Sequence, residues 1–302
     1  MKLLFVINPV SGGIDKKPFL NRVDEICRYY NIGYNVFQTT GNDDQNRLES
    51  VLKTYKPDKV ASVGGDGTTL FTGVSLMDHD IPMGIVPMGS ANGMAVELSV
   101  NPDPELALKD LIISELYAKL DLVQVNKKHY SLHIGDVGIN AQIVEAYSKD
   151  PNRGMVTYAK YFYEMVMKAE LFPITVFANG EEVRDQYYSI AICNARKYGT
   201  GVPINLNGSP FDGKFELVLV KKLDAATLIM AGLAKFNEKF YDNLNATVIS
   251  TDKAKVVFNE PRLLQLDGEV TGHFKTLDID IIKGAITFIT HGGNEYIKRG
   301  LY

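Results

Sequence analysis

One segment near residue 64, in which a predicted strand is followed by glycines and then by a predicted helix, constrains the fold of this chain more than any other feature. The apolar run Val60–Val63 leads into Gly64-Gly65-Asp66-Gly67-Thr68, and the pattern then predicts a helix over Thr68–Met77. Because glycines lack Cβ atoms, their backbone N–H groups can turn toward an anion, and the following helix adds the positive end of its dipole. Asp66 suits this place if a divalent cation lies between it and phosphate oxygens, directly or through water. The segment therefore indicates a Mg²⁺-nucleotide site, although a plain glycine-rich turn explains the same residues.

The two familiar phosphate-binding fingerprints are absent from this sequence. No GxxxxGK motif followed by Ser or Thr occurs, and the glycine spacing after Val63 does not fit GxGxxG. A formal net charge of −4 over 302 residues argues against nucleic acid as a partner, because no excess of Lys and Arg offers counterion release. Cys27 and Cys193 lie in apolar segments without a short spacing, so neither a disulfide nor a zinc site is expected. With no apolar run of bilayer length, the sequence predicts a cytoplasmic protein.

The chain changes its pattern near residue 120, which predicts two domains. Before that point four short β-rich runs alternate with helical patterns, as in a parallel sheet covered on both faces. After it, longer strands and hairpin signals at Asn126–His129 and Asn179-Gly180 predict an antiparallel β domain, interrupted by helices at Met155–Ala169 and Ala225–Asn243. We therefore expect an α/β nucleotide-binding domain at residues 1–122 and a β-rich domain at 123–291. Whether the tail 292–302 rejoins the first domain stays open.

Two further loops follow predicted strands of the first domain, and both are small and glycine-bearing. Asn8-Pro9-Val10-Ser11-Gly12-Gly13 follows the first strand, and Pro87–Ala95 follows the fourth. In a parallel sheet the carboxyl ends of the strands gather ligands, so these loops are candidates for contact with phosphate or ribose. Ser90 is expected to cap the helix that follows, and a plain turn or cap explains either loop equally well.

Together these loops, with Asp267-Gly268-Glu269 late in the chain, resemble the diacylglycerol kinase catalytic domain family. This family includes bacterial lipid kinases and sphingosine kinases and is related in fold to NAD kinases. The resemblance implies an α/β domain followed by a β-sandwich domain, ATP as phosphoryl donor, Mg²⁺ as cofactor, and a lipid alcohol as acceptor. It also implies a peripheral enzyme at the inner face of the membrane, and it leaves a homodimer open.

Carried over residue by residue, the resemblance assigns candidate site residues. Glu269 corresponds to the proton acceptor, Asp267 is expected to orient metal or water, and Asp66 belongs to the same catalytic set. The position of Gly268 leaves open whether Asp267 and Glu269 share a strand face or flank a turn. A second metal loop is implied at Ser209, Asp212 and Lys214, where an Asp-Gly turn is the alternative. The nucleotide contacts would be Asn8, Ser11, Gly12, Thr39, Thr40, Gly64, Gly65, Asp66, Gly67, Thr68, Thr69, Leu70, Ser90 and Asn92.

The sequence departs from the family pattern at two acidic positions. Gly93 stands where many members have Asp, and Asn140 stands in Gly138-Ile139-Asn140-Ala141 where they often have Asp. Fewer negative charges would weaken a water-mediated Mg²⁺ network, which puts the lipid substrate in doubt more than the nucleotide. These departures leave open a catalytically inactive lipid-binding or regulatory member of the family. An NAD kinase also stays open, because Gly64–Thr68 followed by Thr69-Leu70 fits the glycine loop of that family as well.

Overall fold

The computed structural model describes residues 1–150, 155–197, 204–205, 208–221 and 246–300. The chain divides into two compact units. The first unit contains Met1–Asp121 and Lys283–Tyr302, and the second contains Leu122–Ile282. The predicted tail 292–302 thus lies in the first unit. The predicted helix Ala225–Asn243 and the side chain of Asn140 lie outside the described part of the chain.

The first unit is built on a parallel sheet, as predicted. Its strands run in the order β2, β1, β3, β4, and the end of β14 pairs in parallel with β4. The strands are β1 (Lys2–Ile7), β2 (Gly33–Gln38), β3 (Lys59–Gly64), β4 (Met83–Pro87) and the long β14 (Glu269–Thr290), which begins in the second unit.

The helices of this unit begin and end at local signals. Pro18 lies in the first turn of the helix after β1, and Asp103 caps the helix Pro104–Ile113 by accepting hydrogen bonds from two backbone amides. The helices are α1 (Lys17–Tyr29), α2 (Asp44–Tyr55), α3 (Asp66–Leu76), α4 (Gly93–Glu97), α5 (Pro104–Ile113) and, at the end of the chain, α8 (Glu295–Arg299). A short 3₁₀ turn covers Ser11–Gly13.

The second unit is antiparallel, also as predicted. Its main order is β12, β11, β10, β7, β13, β14, with β8 pairing to β13 and to β9, and β5 pairing to β14 and β6. The strands are β5 (Leu116–Val125), which starts in the first unit, β6 (His129–Ser131), β7 (Ile134–Gly138), β8 (Phe172–Ala178), β9 (Glu181–Tyr187), β10 (Ser189–Cys193), β11 (Phe215–Val220), β12 (Ala246–Thr251) and β13 (Lys253–Leu266). Two helices, α6 (Ile139–Lys149) and α7 (Met155–Met167), lie between β7 and β8.

Each unit has its own apolar core, which explains the division of the chain. The core of the first unit packs α1 and α5 against the parallel sheet and includes Phe5, Val63 and Ile289. The core of the second unit is formed by inward-facing strand residues such as Val256 and Ile279. The two-residue hairpin predicted at Asn179-Gly180 joins β8 to β9, with φ angles of 55° and 78° that match a type I′ turn.

Candidate functional site

Three loops of the first unit approach one another through glycines at the carboxyl ends of their strands. A Cβ atom on Gly89 would lie 2.3 Å from the Cα atom of Gly65, and one on Gly12 would lie 2.9 Å from the carbonyl carbon of Gly89. We call Gly12, Gly65 and Gly89 the glycine triad. Because backbone meets backbone here, the loops after β1, β3 and β4 can come together only where side chains are absent.

The glycine loop after β3 ends in a helix start that suits an anion. Helix α3 begins at Asp66, earlier than the predicted Thr68, and the backbone N–H of Thr69 donates to Gly65 O at 3.0 Å. The amides of Asp66, Gly67 and Thr68 therefore precede the first helical hydrogen bond and lie at the positive end of the helix dipole. Gly67 is exposed, Leu70 is half-buried, and Thr68 and Thr69 are buried.

Asp66 has a contact that the sequence did not reveal. Its two carboxylate oxygens accept hydrogen bonds from the backbone amides of Gly93 and Met94, each at 2.9 Å. These amides are the first two of α4, so the carboxylate of one helix caps the start of another. The expectation that Ser90 caps this helix is wrong. Ser90 is exposed, and the N-cap position belongs to Asn92, in the left-handed region at a φ of 52°.

The side chain of Asn92 binds Gly89, one member of the glycine triad. Its Oδ1 accepts from the backbone N–H of Gly89 at 2.8 Å, and its Nδ2 donates to Gly89 O at 3.1 Å. Both hydrogen-bonding groups of the side chain are thus used on one peptide segment. Asn92 fixes the conformation of the third loop beside the glycine triad.

The other predicted nucleotide residues shape their own loops. Asn8 Oδ1 accepts from the backbone N–H of Val10 at 3.1 Å, and Ser11 Oγ donates to Met88 O at 3.3 Å. Ser11 thus links the first loop to the one after β4. Thr39, after β2, donates its backbone N–H to Ile7 O at 2.9 Å, which places it beside the end of β1.

Thr40 takes part in a polar network at the start of α2. Its Oγ1 accepts from Arg47 at 2.9 Å and donates to Asp44 at 3.1 Å. Although desolvation opposes the effect, backbone hydrogen bonds from Thr40 and Gly41 hold the pKa of Asp44 below its ordinary value. The network fixes the loop after β2, because both the backbone amide and the hydroxyl of Thr40 donate to Asp44.

Lys16 is a residue of this region that the sequence reasoning missed. The side chain is only 4 % exposed, and its Nζ donates to the carbonyl oxygens of Ser11, Ile14 and Met88, the last two at 3.0 and 3.1 Å. Burial lowers the pKa of Lys16. Lys16 therefore ties the first loop to the loop after β4. One signal was available, because a cation just before a helix start opposes the helix dipole and calls for a specific reason.

In the second unit, Asp267 and Gly268 form a two-residue turn between β13 and β14, and Glu269 directly follows the turn. Asp267 and Gly268 have φ angles of 50° and 86°, which match a type I′ hairpin, so the turn alternative is correct. The Asp267 carboxylate accepts from Ser131 Oγ at 2.6 Å and from the backbone amides of Leu132 and His133 at 2.8 and 3.1 Å. Asp267 thereby anchors the turn, and its predicted role toward metal or water stays a prediction.

The side chain of Glu269, unlike that of Asp267, is not held by hydrogen bonds from the described residues. It is the first residue of β14, its side chain is exposed, and its carboxylate has no hydrogen-bond partner among the described residues. An exposed carboxylate that no described side chain engages can accept a proton from a bound molecule, so the role of Glu269 as general base stays a prediction.

The residues proposed to hold Mg²⁺ are compatible with that cation. Each oxygen of Asp66 accepts one amide hydrogen, and an ionised carboxylate has about four acceptor positions, so room remains for a hydrated cation. Asp212 is exposed and accepts from the backbone N–H of Lys214 at 3.0 Å. This is the Asp-Gly turn named as the alternative, and the metal loop formed by the carboxylate of Asp212 and the carbonyls of Ser209 and Lys214 stays a prediction. Hard oxygen donors of this kind suit Mg²⁺.

The fold and the glycine triad define the class of the protein, a two-domain α/β protein with glycine-bearing loops at the carboxyl ends of its parallel strands. Residues 2–125 match the diacylglycerol kinase catalytic domain, and residues 135–290 match the YegS C-terminal NAD kinase beta sandwich-like domain. The chain therefore belongs to the diacylglycerol kinase-like and YegS-like family of lipid kinases. Both the predicted family and the predicted fold, a parallel α/β domain followed by a β-sandwich-like domain, are confirmed.

Individual relatives agree with this assignment. A Bacillus subtilis protein named diacylglycerol kinase is 23% identical over 274 residues, covering 88% of this chain and 89% of the relative. A Yersinia enterocolitica protein named "Probable lipid kinase YegS-like" is 28% identical over 256 residues, covering 80% and 82%. A crystal structure of a diacylglycerol kinase from Bacillus anthracis has the same fold, with a TM-score of 0.71, 18% identity and coverage of 97% and 98%. These relatives do not favour the NAD kinase alternative.

Among the described residues, no helix has the length and apolar character needed to span a bilayer.

Proposed function

We propose that this chain is an ATP-dependent lipid kinase that transfers the γ-phosphate of Mg-ATP to a hydroxyl of diacylglycerol or a related membrane lipid. The glycine triad is the observation that carries the proposal. It brings three loops together beside the first-turn amides of α3, which precede the first hydrogen bond of the helix. Backbone amides at a helix N-terminus, free of side-chain obstruction, are the groups that bind a polyphosphate.

The proposed chemistry divides between the two units. The amides of Asp66, Gly67 and Thr68 would hold the phosphates of ATP. Glu269 would take the proton from the lipid hydroxyl as its oxygen attacks the γ-phosphorus, the bond to the β-phosphate oxygen breaks, and ADP leaves. Mg²⁺, when bound, would neutralise phosphate charge. Asp267 supports this role of Glu269 by fixing the turn on which it stands.

The lipid is the open part of the proposal. The name of the Bacillus subtilis relative makes diacylglycerol the first substrate to test. Gly93 and Asn140, in place of acidic residues common in the family, are reasons to test other lipids beside it. A kinase of this kind would work as a peripheral enzyme at the inner face of the membrane, because its acceptor resides there. A homodimer is compatible with the proposal and is not required by it.

The test is transfer of labelled γ-phosphate from Mg-ATP to a panel of acceptors. Diacylglycerol, monoacylglycerol, phosphatidylglycerol, sphingosine and ceramide in mixed micelles are compared with NAD. We expect label in one lipid and a loss of about a hundredfold or more in Glu269→Gln, because the base is removed. Binding of Mg-ATP, measured by calorimetry, should be unchanged in that variant.

The controls follow from the contacts of each carboxylate. Glu260→Gln is matched, because Glu260 is also an exposed glutamate of the second unit, on β13. Asp66→Asn is preferable to Asp66→Ala, because the amide retains an acceptor oxygen for α4.

Wild-type turnover by Glu269→Gln would remove this residue as the base. Label in NAD alone would overturn the lipid acceptor, and ATP binding without any transfer would favour an inactive, lipid-binding protein.

A further inference from the structure

The short helix α4 is held at both of its ends by residues distant in sequence. It has five residues, too few to be stable by its own hydrogen bonds. Its first two amides donate to Asp66, as described above. Its other end is held by the C-terminal tail of the chain, in the same unit.

The tail contacts three successive residues at the end of α4. The Tyr296 hydroxyl donates to a carboxyl oxygen of Glu97. Asn294 Nδ2 donates to Leu98 O at 3.0 Å, and His291 Nε2 donates to Ser99 O at 2.7 Å. We call His291, Asn294 and Tyr296 the C-terminal clasp.

Burial makes these contacts specific. Tyr296 is 1 % exposed, Glu97 is 6 % exposed and Asn294 is fully buried. Leaving a buried polar group without its partner costs free energy, so each contact of the C-terminal clasp favours one position of α4. The clasp therefore fixes α4 in a way that the local sequence of α4 cannot.

The position of α4 is transmitted to the glycine triad. Asn92 directly precedes α4 and binds both backbone groups of Gly89. Gly89 in turn lies against Gly65 and Gly12. A shift of α4 would thus move the third loop away from the first-turn amides of α3.

We propose that Tyr296 is a positioning residue for nucleotide binding, acting through Glu97, α4 and Asn92 on the glycine triad. This inference rests on the proposed function, in which the glycine triad binds ATP. Tyr296 touches no nucleotide. Its contribution is to hold the third loop in the conformation that accepts the phosphates.

The experiment measures Mg-ATP binding by calorimetry and the kinetic constants for ATP in Tyr296→Phe. We expect a dissociation constant and a KM about fivefold higher, as for the loss of one hydrogen bond, with kcat little changed. A merely structural role would lower the fraction of active protein, so kcat would fall and KM would stay the same. Glu97→Gln keeps an acceptor oxygen and should bind ATP like the wild type.

Two further variants separate positioning from stability. Tyr296→Phe combined with Glu97→Leu replaces both partners by apolar groups, which should restore stability but not ATP affinity. This double variant also tests the proposal if Tyr296→Phe alone fails to fold. Tyr34→Phe is the matched control, because Tyr34 also donates to a carboxylate, Asp24, in the first unit. We expect wild-type ATP binding in this control.

The outcomes are distinct for the inference and for the proposed function. Wild-type ATP affinity in the folded double variant, or an equal loss in Tyr34→Phe, would overturn the role of Tyr296 and leave the kinase proposal intact. Absence of Mg-ATP binding in the wild-type chain would overturn the proposed function and the inference with it.

Discussion

Among single residues, Gly89 shows how little space separates the loops that form the proposed nucleotide site. An added methyl group would lie 2.3 Å from Gly65 Cα and 2.8 Å from Asn92 Oδ1, and both neighbours are held in place. Gly89→Ala should therefore push the loops apart and weaken Mg-ATP binding about tenfold, since overpacking costs about 1–3 kcal/mol. Calorimetry checks this expectation. Gly292→Ala is the control, because a Cβ there meets nothing within 4 Å. Equal ATP affinity in both variants would show that the loops do not need this close approach.

Among secondary-structure elements, α5 depends on a lysine from a neighbouring strand. Lys59, at the start of β3, donates from Nζ to the carbonyl oxygens of Leu111, Ile112 and Ser114 at 3.0, 3.1 and 2.8 Å. These oxygens lie at the end of α5, where no intrahelical donor is available. Lys59→Met should lower the free energy of unfolding by about 2–3 kcal/mol, because buried carbonyls lose their donor. Urea denaturation measures it. The exposed Lys53, paired with Glu49 on α2, is the comparison, and Lys53→Met should cost under about 0.5 kcal/mol. A similar small loss in Lys59→Met would contradict the capping role.

For the molecule as a whole, the long strand β14 provides a test of how far the two units are independent. Ile279 lies in the core of the second unit and Ile289 in the core of the first, on the same strand. Ile289→Ala should speed amide hydrogen exchange in β1 and β3, and Ile279→Ala should do so in β10 and β11, each by the loss of about 2–4 kcal/mol. Mass spectrometry of exchange distinguishes the two, and each variant is the control for the other. Faster exchange in both units from either variant would mean that they unfold together.

Much of the fold was predictable because its signals are local. The alternation of short apolar runs with helical patterns predicted the parallel sheet, and Asn179-Gly180 predicted a type I′ hairpin. Glycines in three separate loops indicated a close approach of backbones for the same reason, since a missing Cβ is visible in the sequence, and the phosphate site itself stays a prediction. In these cases the residue itself carries the physical property that the structure uses.

The contacts that the sequence did not predict join segments that are distant in the chain. Ser90 was expected to cap α4, and the carboxylate that does so is Asp66, from another helix. Lys16 was missed because its partner Met88 becomes a neighbour only when the loops after β1 and β4 meet. The contacts of Asp267 with Ser131, Leu132 and His133 were also not foreseen, while its predicted role toward metal or water stays a prediction. Each of these contacts joins segments whose proximity no local pattern reports.

The sequence by itself determined the class of fold, the glycine loops and the hairpin at Asn179-Gly180, because backbone freedom and apolar periodicity belong to individual residues. The family resemblance supplied the candidate base Glu269, which stays a prediction. Only the tertiary structure decided which polar groups satisfy one another. In the folded chain Asp66 accepts from the amides of α4, Lys16 joins the loops after β1 and β4, and Tyr296 donates to the distant Glu97. The physical reason is that a buried donor or acceptor must find a partner, and folding rather than sequence distance determines which partner is within reach.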